Sequence, residues 1–165
     1  MDYEIREAVY SDMPAIKKLY ANARQFMAEH GNATQWGESY PEDSLLSQDL
    51  ECKKLFLVQD EGGIHGVFYF SVEADPTYTV IYQGQWRWEK PYGVIHRIAG
   101  DGSGGILRSA VDFASKQSDY LRIDTHDDNY VMQKALEKMG FFKCGIIYIE
   151  DGTPRIAYDF CFDAG

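Results

Sequence analysis

Apolar positions along this chain change their spacing several times, and each change marks an element. Ile5 and Val9 bracket a short opening strand. From Ser11-Asp12-Met13-Pro14 onward, Met13, Ile16, Leu19, Tyr20, Ala23, Phe26 and Met27 recur three and four apart, which predicts a helix with one inward face, ending near His30-Gly31-Asn32. A second, shorter helix is predicted after Pro41-Glu42-Asp43-Ser44, carrying Leu45, Leu46 and Leu50. The loop between them, Ala33-Thr34-Gln35-Trp36-Gly37, reads as one with an exposed tryptophan.

From Leu55 the pattern shifts to short β-rich runs. Leu55 to Val58 and Val67 to Phe70, joined across Glu61-Gly62-Gly63, predict an antiparallel hairpin. Thr77 to Tyr82 and the patch Trp86-Arg87-Trp88 come before a strand at 92–99, so the middle of the chain reads as a meander with an aromatic connection. That strand breaks into Gly100-Asp101-Gly102-Ser103-Gly104-Gly105 and passes into a helix carrying Ile106, Leu107, Ala110, Val111 and Ala114. Tyr120 to Asp124 forms the next strand, so this strand, helix and strand predict a parallel pair. Asp127 or Asp128 is expected to cap a helix with the inner stripe Val131, Met132, Ala135, Leu136 and Met139, closed by Gly140. Two last strands, Cys144 to Ile149 and Arg155 to Phe160, are joined by Glu150-Asp151-Gly152-Thr153-Pro154. There is no repeat, low-complexity tract or linker, so residues 1–165 read as one α/β domain with a mixed, mostly antiparallel sheet.

The glycine turn is where this pattern acquires chemistry. Four glycines let the backbone turn sharply, and the first amides of the following helix have no partner within it and carry the positive end of its dipole. Amides of Gly102, Ser103, Gly104, Gly105 and Ile106 are candidate donors to a phosphate-bearing ligand.

Composition narrows the partners. With 165 residues, 45% hydrophobic and 25% charged, the chain has the makeup of a globular domain. Its formal charge of −10 disfavours nucleic acid and anionic membranes; it suits a cationic amine and reads equally as acidity that serves solubility. No apolar run approaches the ~20 residues of a membrane span, and Met1-Asp2-Tyr3-Glu4 lacks a basic leader, so a cytoplasmic location is expected. Cys52, Cys144 and Cys161 are odd in number and widely spaced, which fits reduced thiols rather than a disulfide frame or a metal site.

The order of elements, together with Asn129 through Lys138-Met139-Gly140-Phe141, resembles the GCN5-related N-acetyltransferases (the GNAT superfamily) over essentially the whole chain. The motif is similar to the family's Asn-x-x-Ala-x-x-Leu-Tyr-Glu-Lys-x-Gly-Phe helix. The resemblance implies acetyl-CoA as acetyl donor, lying in a cleft where two central parallel strands splay, here 92–99 and 120–124. Its pyrophosphate would sit on the glycine turn, its thioester beside Ile98 and Ala99, and its pantetheine arm against Asn129. A backbone amide near Ile98 or Ala99 would receive the thioester oxygen. Relatives often dimerise through their last strands, so a homodimer is a further implication.

Two departures from the family pattern stand out. The usual Gln/Arg-x-x-Gly-x-Gly/Ala turn is matched only in part, with Gly102 in place of Gln/Arg, Leu107 in place of the last small residue, and Asp101 near the expected phosphate, where Arg108 is a candidate offset. Leu136 stands where the family often has a tyrosine that protonates the departing sulfur. A thiol of pKa about 8.5 leaves readily without that acid, so no side chain of this helix is expected to act as one.

An amine of pKa about 10.4 must lose a proton before it attacks. His96, three residues before Ala99, is the candidate base; Val94, His96 and Ile98 share one strand face by the period of two, so His96 reads equally as a core histidine. Glu73, Asp124, His126 and a base acting through water are the alternatives. Asn129 reads equally as a helix cap, and Trp36, Trp86 and Trp88 read either as walls of the acceptor pocket or as packing over the sheet. A non-catalytic acyl-CoA sensor of the same fold is a competing reading. So is a dinucleotide site, since Gly100 to Gly105 spells Gly-x-Gly-x-x-Gly with Asp124 downstream, although an antiparallel meander precedes it. The acceptor, a small-molecule or peptide amine, is not written in the sequence.

Overall fold

A computed structural model describes residues 2–162. Seven strands, β1 (Glu4–Glu7), β2 (Leu55–Asp60), β3 (Gly63–Ser71), β4 (Gly93–Gly100), β5 (Tyr120–Thr125), β6 (Phe142–Tyr148) and β7 (Pro154–Cys161), form one sheet in the order β1-β2-β3-β4-β5-β7-β6. Four helices, α1 (Met13–Glu29), α2 (Asp43–Glu51), α3 (Ile106–Ser115) and α4 (Tyr130–Lys138), accompany it. All neighbouring strands are antiparallel except β4 and β5, so the sheet is not the parallel array of a dinucleotide fold. No helix among the described residues is long and apolar enough to cross a membrane.

Alternation along the strands sends side chains to two faces. Ile106, Ala110, Val111 and Ala114 of α3 and Leu136 of α4 pack with Phe68, Phe70, Ile95, Leu121 and Ile123 on one face. On the other, Ile16, Leu19, Tyr20, Leu46 and Leu50 of α1 and α2 cover Leu55, Leu57 and Val67. The rest of that face is covered by residues 72–92, whose Tyr78, Trp86 and Tyr92 pack with Val94, Tyr120, Cys144 and Ile147. This segment is the aromatic connection of the expected meander, since β2, β3 and β4 are consecutive antiparallel neighbours, and it holds one 3-10 turn at Pro76–Tyr78 and a lone bridge between Tyr82 and Ile146. Burial pushes the Cys144 thiol up to about 12, which fits an inert core residue.

Ends of elements differ from expectation in explicable ways. The first strand stops at Glu7, because Asp12 accepts two hydrogen bonds from Arg6 and one from the Val9 amide and turns the chain into α1. Phe26, counted to the inner face of α1, is exposed and stacks on His30 at 3.9 Å. Trp36 is buried, not exposed, with Tyr20 at 5.6 Å and Tyr40 at 6.2 Å. The α4 cap is Asn129 rather than Asp127 or Asp128: its side-chain oxygen accepts from the Met132 amide at 3.1 Å.

Candidate active site

Two irregularities of β4 create the site. Pairing with β5 covers only Gly93 with Leu121 and Val94 with Arg122, after which the strands part. On its other edge, Tyr69 faces His96 while Val67 faces Ala99, so Arg97 and Ile98 together oppose Phe68 as a β-bulge. Arg97 takes the left-handed backbone, φ 50°. Tyr20 donates to its carbonyl at 2.7 Å, and Asp49 receives its guanidinium at 2.7 Å, so α1 and α2 together pin the bulge. The extra residue resets alternation: Val94 and His96 keep to the face of α1, whereas Ile98 joins the core under α3. The expectation that Val94, His96 and Ile98 share one face is therefore corrected, because a period of two does not survive a bulge.

The strands part over a cleft of about 750 Å³, lined among others by Trp36, Tyr69, Glu73, Asp75, His96, Ile98, Asp124, Thr125 and Asn129. His96, 23% exposed at its side chain, lies between two carboxylates: Nε2 is 2.7 Å from Asp75 Oδ2, and Nδ1 is 3.9 Å from Asp124 Oδ2. Tyr78 donates to Asp124 at 2.6 Å. Burial alone would raise the Asp75 carboxyl, but hydrogen bonds from His96 and from the Thr77 hydroxyl and amide outweigh it and hold it at about 2. Glu73 forms an ion pair with Lys54 at the cleft wall. The alternative base His126 is held in its own turn, accepting from the Asp128 amide at 3.0 Å and lying 3.3 Å from the Thr34 hydroxyl.

In the turn between β4 and α3, Gly102, Gly104 and Gly105 all take positive φ. Gly105 starts α3 with φ 76° and offers no side-chain cap, so the first amides of the helix have no side chain closing them. Asp101 is turned away from them. Its Oδ2 is 2.7 Å from His65 Nδ1, His65 Nε2 is 2.7 Å from Asp60, and its Oδ1 accepts the Ser103 amide at 3.0 Å. The Ser103 amide, one of the expected phosphate donors, is thus occupied within the turn. Glycine has a second use here: a Cβ on Gly66 would come within 2.6 Å of Ile106, and one on Gly100 within 2.9 Å, so bare backbone lets the start of α3 lie directly on β3 and β4.

The remaining sequence candidates divide. Asn129 lines the cleft, but its oxygen caps α4 and its amide donates to Gln35 at 3.2 Å, so the cap reading holds and the loop after α1 reaches the start of α4. Trp86 lies outside the cleft, donating to the Tyr78 carbonyl at 2.9 Å beneath the Arg122 guanidinium, and Trp88 packs edge-on to Tyr120 at 5.5 Å. Both are packing residues, a correction to the pocket-wall alternative. Leu136 is fully buried and brings no proton to the cleft. Asp75 and Thr125 escaped the sequence reading. Asp75-Pro76-Thr77 signals only a turn, which Asp75 does cap, and nothing local links it to a histidine 21 residues on. Thr125 is 1% exposed and its hydroxyl has no partner among the described residues, an orphaned polar atom where β5 leaves β4.

No family model matches the sequence, and no curated protein matches it. Solved structures do. An acetyltransferase of the GNAT family from Streptococcus agalactiae superposes with a TM-score of 0.86 over 96% of this chain and 95% of that one, at 25% identity. The Salmonella typhimurium protein yncA, solved with its cofactor acetyl-CoA, gives 0.63 over 99% and 95% at 13% identity. The ribosomal-protein-S18-alanine N-acetyltransferase of Escherichia coli gives 0.60 over 99% and 96% at 16% identity. The superposition on the Streptococcus agalactiae structure spans nearly the whole of both chains, and the chain belongs to the GNAT superfamily.

Proposed function

We propose that this protein transfers an acetyl group from acetyl-CoA to a primary amine by direct attack. The observation that carries the reading is the parting of β4 from β5: the cleft there holds a histidine between two carboxylates, and the same strand β4 runs on into the glycine turn and an uncapped helix start. The residues fit acetyl-CoA. A Cβ at Gly102 or Gly104 would meet open space, and the orphaned Thr125 hydroxyl belongs to a residue that lines the cleft. Amides of Gly102, Gly104, Gly105 and Ile106 would hold the diphosphate, and the β4 backbone at Ile98 and Ala99 would lie beside the acyl group. When bound, the thioester supplies an activated acyl carbon.

The acceptor end is acidic. Asp75, Asp124, Glu150 and Asp151 line the cleft together with Glu73, which is paired with Lys54, whereas of its guanidiniums Arg97 is neutralised by Asp49 and Arg155 is buried against Thr153 and the Pro154 carbonyl. Such a wall favours an ammonium-bearing acceptor, a small molecule or a peptide amine. The buried Leu136 favours a second reading, an acyl-CoA sensor without turnover.

Acetyl-CoA at a hundred times its dissociation constant is expected to raise the melting temperature by roughly 5–10 °C. A panel of diamines, amino acids and peptide amines then reads CoA release. Binding without release from any acceptor would support the sensor, and no shift with acetyl-CoA would refute both.

A further inference from the structure

We infer that Asp75 fixes the tautomer of His96, so that Nδ1 is the atom that takes the proton from the acceptor ammonium, with Asp124 as counter-ion on that side. The inference rests on the acetyltransferase reading and assigns a positioning residue to it. Asp75 Oδ2 lies 2.7 Å from Nε2. An ionised carboxylate only accepts hydrogen bonds, so in the neutral ring Nε2 must carry the hydrogen and Nδ1 the lone pair. The other half of the carboxylate is also committed: Asp75 Oδ1 accepts the Thr77 amide at 2.8 Å and its hydroxyl at 2.6 Å. Tyr92 fixes the backbone of Asp75, its hydroxyl accepting the Asp75 amide at 2.8 Å.

Nδ1 has no hydrogen-bond partner among the described residues and lies 3.9 Å from Asp124, longer than a hydrogen bond. Groups facing the ring come from every neighbouring element: Asp75 and Tyr78 from the 72–92 segment, Tyr69 from β3 with rings 5.6 Å apart, Asp124 from β5, and Asp49 of α2 more remotely. An imidazolium formed there has a carboxylate on each side.

The proton count closes. The ammonium gives one proton to Nδ1, which passes it to solvent. The freed lone pair forms the C–N bond, the C–S bond breaks, and the second nitrogen proton reaches the departing sulfur through solvent. The sum is amide, CoA thiol and one released proton.

Asp75→Asn makes the test sharp. Thr77 offers two donors to one oxygen of residue 75, so the amide oxygen stays with Thr77 and the NH2 group turns to His96, donating to Nε2 and driving the hydrogen to Nδ1. Nitrogen NMR of the 15N-histidine protein, with His96 assigned by its absence in His96→Gln, is expected to show hydrogen on Nε2 in the wild type and on Nδ1 in D75N. In the same variant kcat/KM for the amine is expected to fall about 100-fold, its acid limb moving to lower pH, with KM for acetyl-CoA unchanged and partial rescue by Asp75→Glu. The wild-type spectrum stands even if a variant folds poorly. A wild-type ring protonated on Nδ1, or an active enzyme in which D75N retains its rate within about threefold, would overturn the assignment alone. A wild type releasing no CoA with any amine overturns the acetyltransferase reading and this assignment together.

Discussion

Asp159 shows what one buried charge does in this sheet. It is fully buried, and it accepts the Arg87 amide at 3.0 Å, the Arg87 Nε at 2.6 Å and the Tyr120 hydroxyl at 2.8 Å. Replacing it with alanine leaves a buried hydroxyl and a guanidinium without their acceptor. Asp159→Ala is expected to cost about 3 kcal/mol, read as a lower urea midpoint at unchanged slope. Gly84 makes the complementary point about space: a Cβ there would stand 1.9 Å from the Cys144 carbonyl oxygen, which is backbone and has nowhere to go. Gly84→Ala is expected to destabilise by roughly 1–3 kcal/mol in the same measurement.

At the scale of elements, the start of α3 is set by what β3 and β4 lack. Gly66→Ala would push its Cβ to 2.6 Å from the Ile106 Cγ2, so the first turn of α3 must lift from the sheet. The expected result is a lower melting temperature together with a weaker acetyl-CoA affinity, read by calorimetry, because the displaced turn holds the amides assigned to the diphosphate. Elements of this kind were legible in the sequence. The glycine turn, the amphipathic stripes of α1 and α3 and the closing hairpin are local patterns, and local spacing is what one chain displays. The bulge was not legible: Arg97 is neither glycine nor asparagine, and its left-handed backbone is imposed by Tyr20 and Asp49, 77 and 48 residues away. The Asp75 and His96 pair escaped for the same reason. Trp36 and Trp86 were misplaced because burial of an aromatic in a loop is decided by what folds over it.

For the molecule as a whole, acid is the natural stress. Asp75 is held at about 2, and Asp12 is drawn below its ordinary value by the Arg6 guanidinium. Each takes a proton more readily once unfolded, so between its ordinary value and the folded one the unfolded chain binds more protons. The stability they contribute is complete above about pH 4 and lost as pH falls towards 2. Urea midpoints measured from pH 6 downward are expected to fall across that window, and to fall less in D75N.

The crossing from residue 72 to residue 92 ties both ends of the molecule together. Near its start it presents Asp75 to the histidine; further on it is stitched to the outermost strands by the Tyr82 bridge to Ile146, the Gln85 amide on Cys144 and Arg87 on Asp159. His96 is therefore aligned from the far rim of the sheet. A lesion on that rim, remote from any reactant, would be felt as a slow turnover before it was felt as a loss of binding.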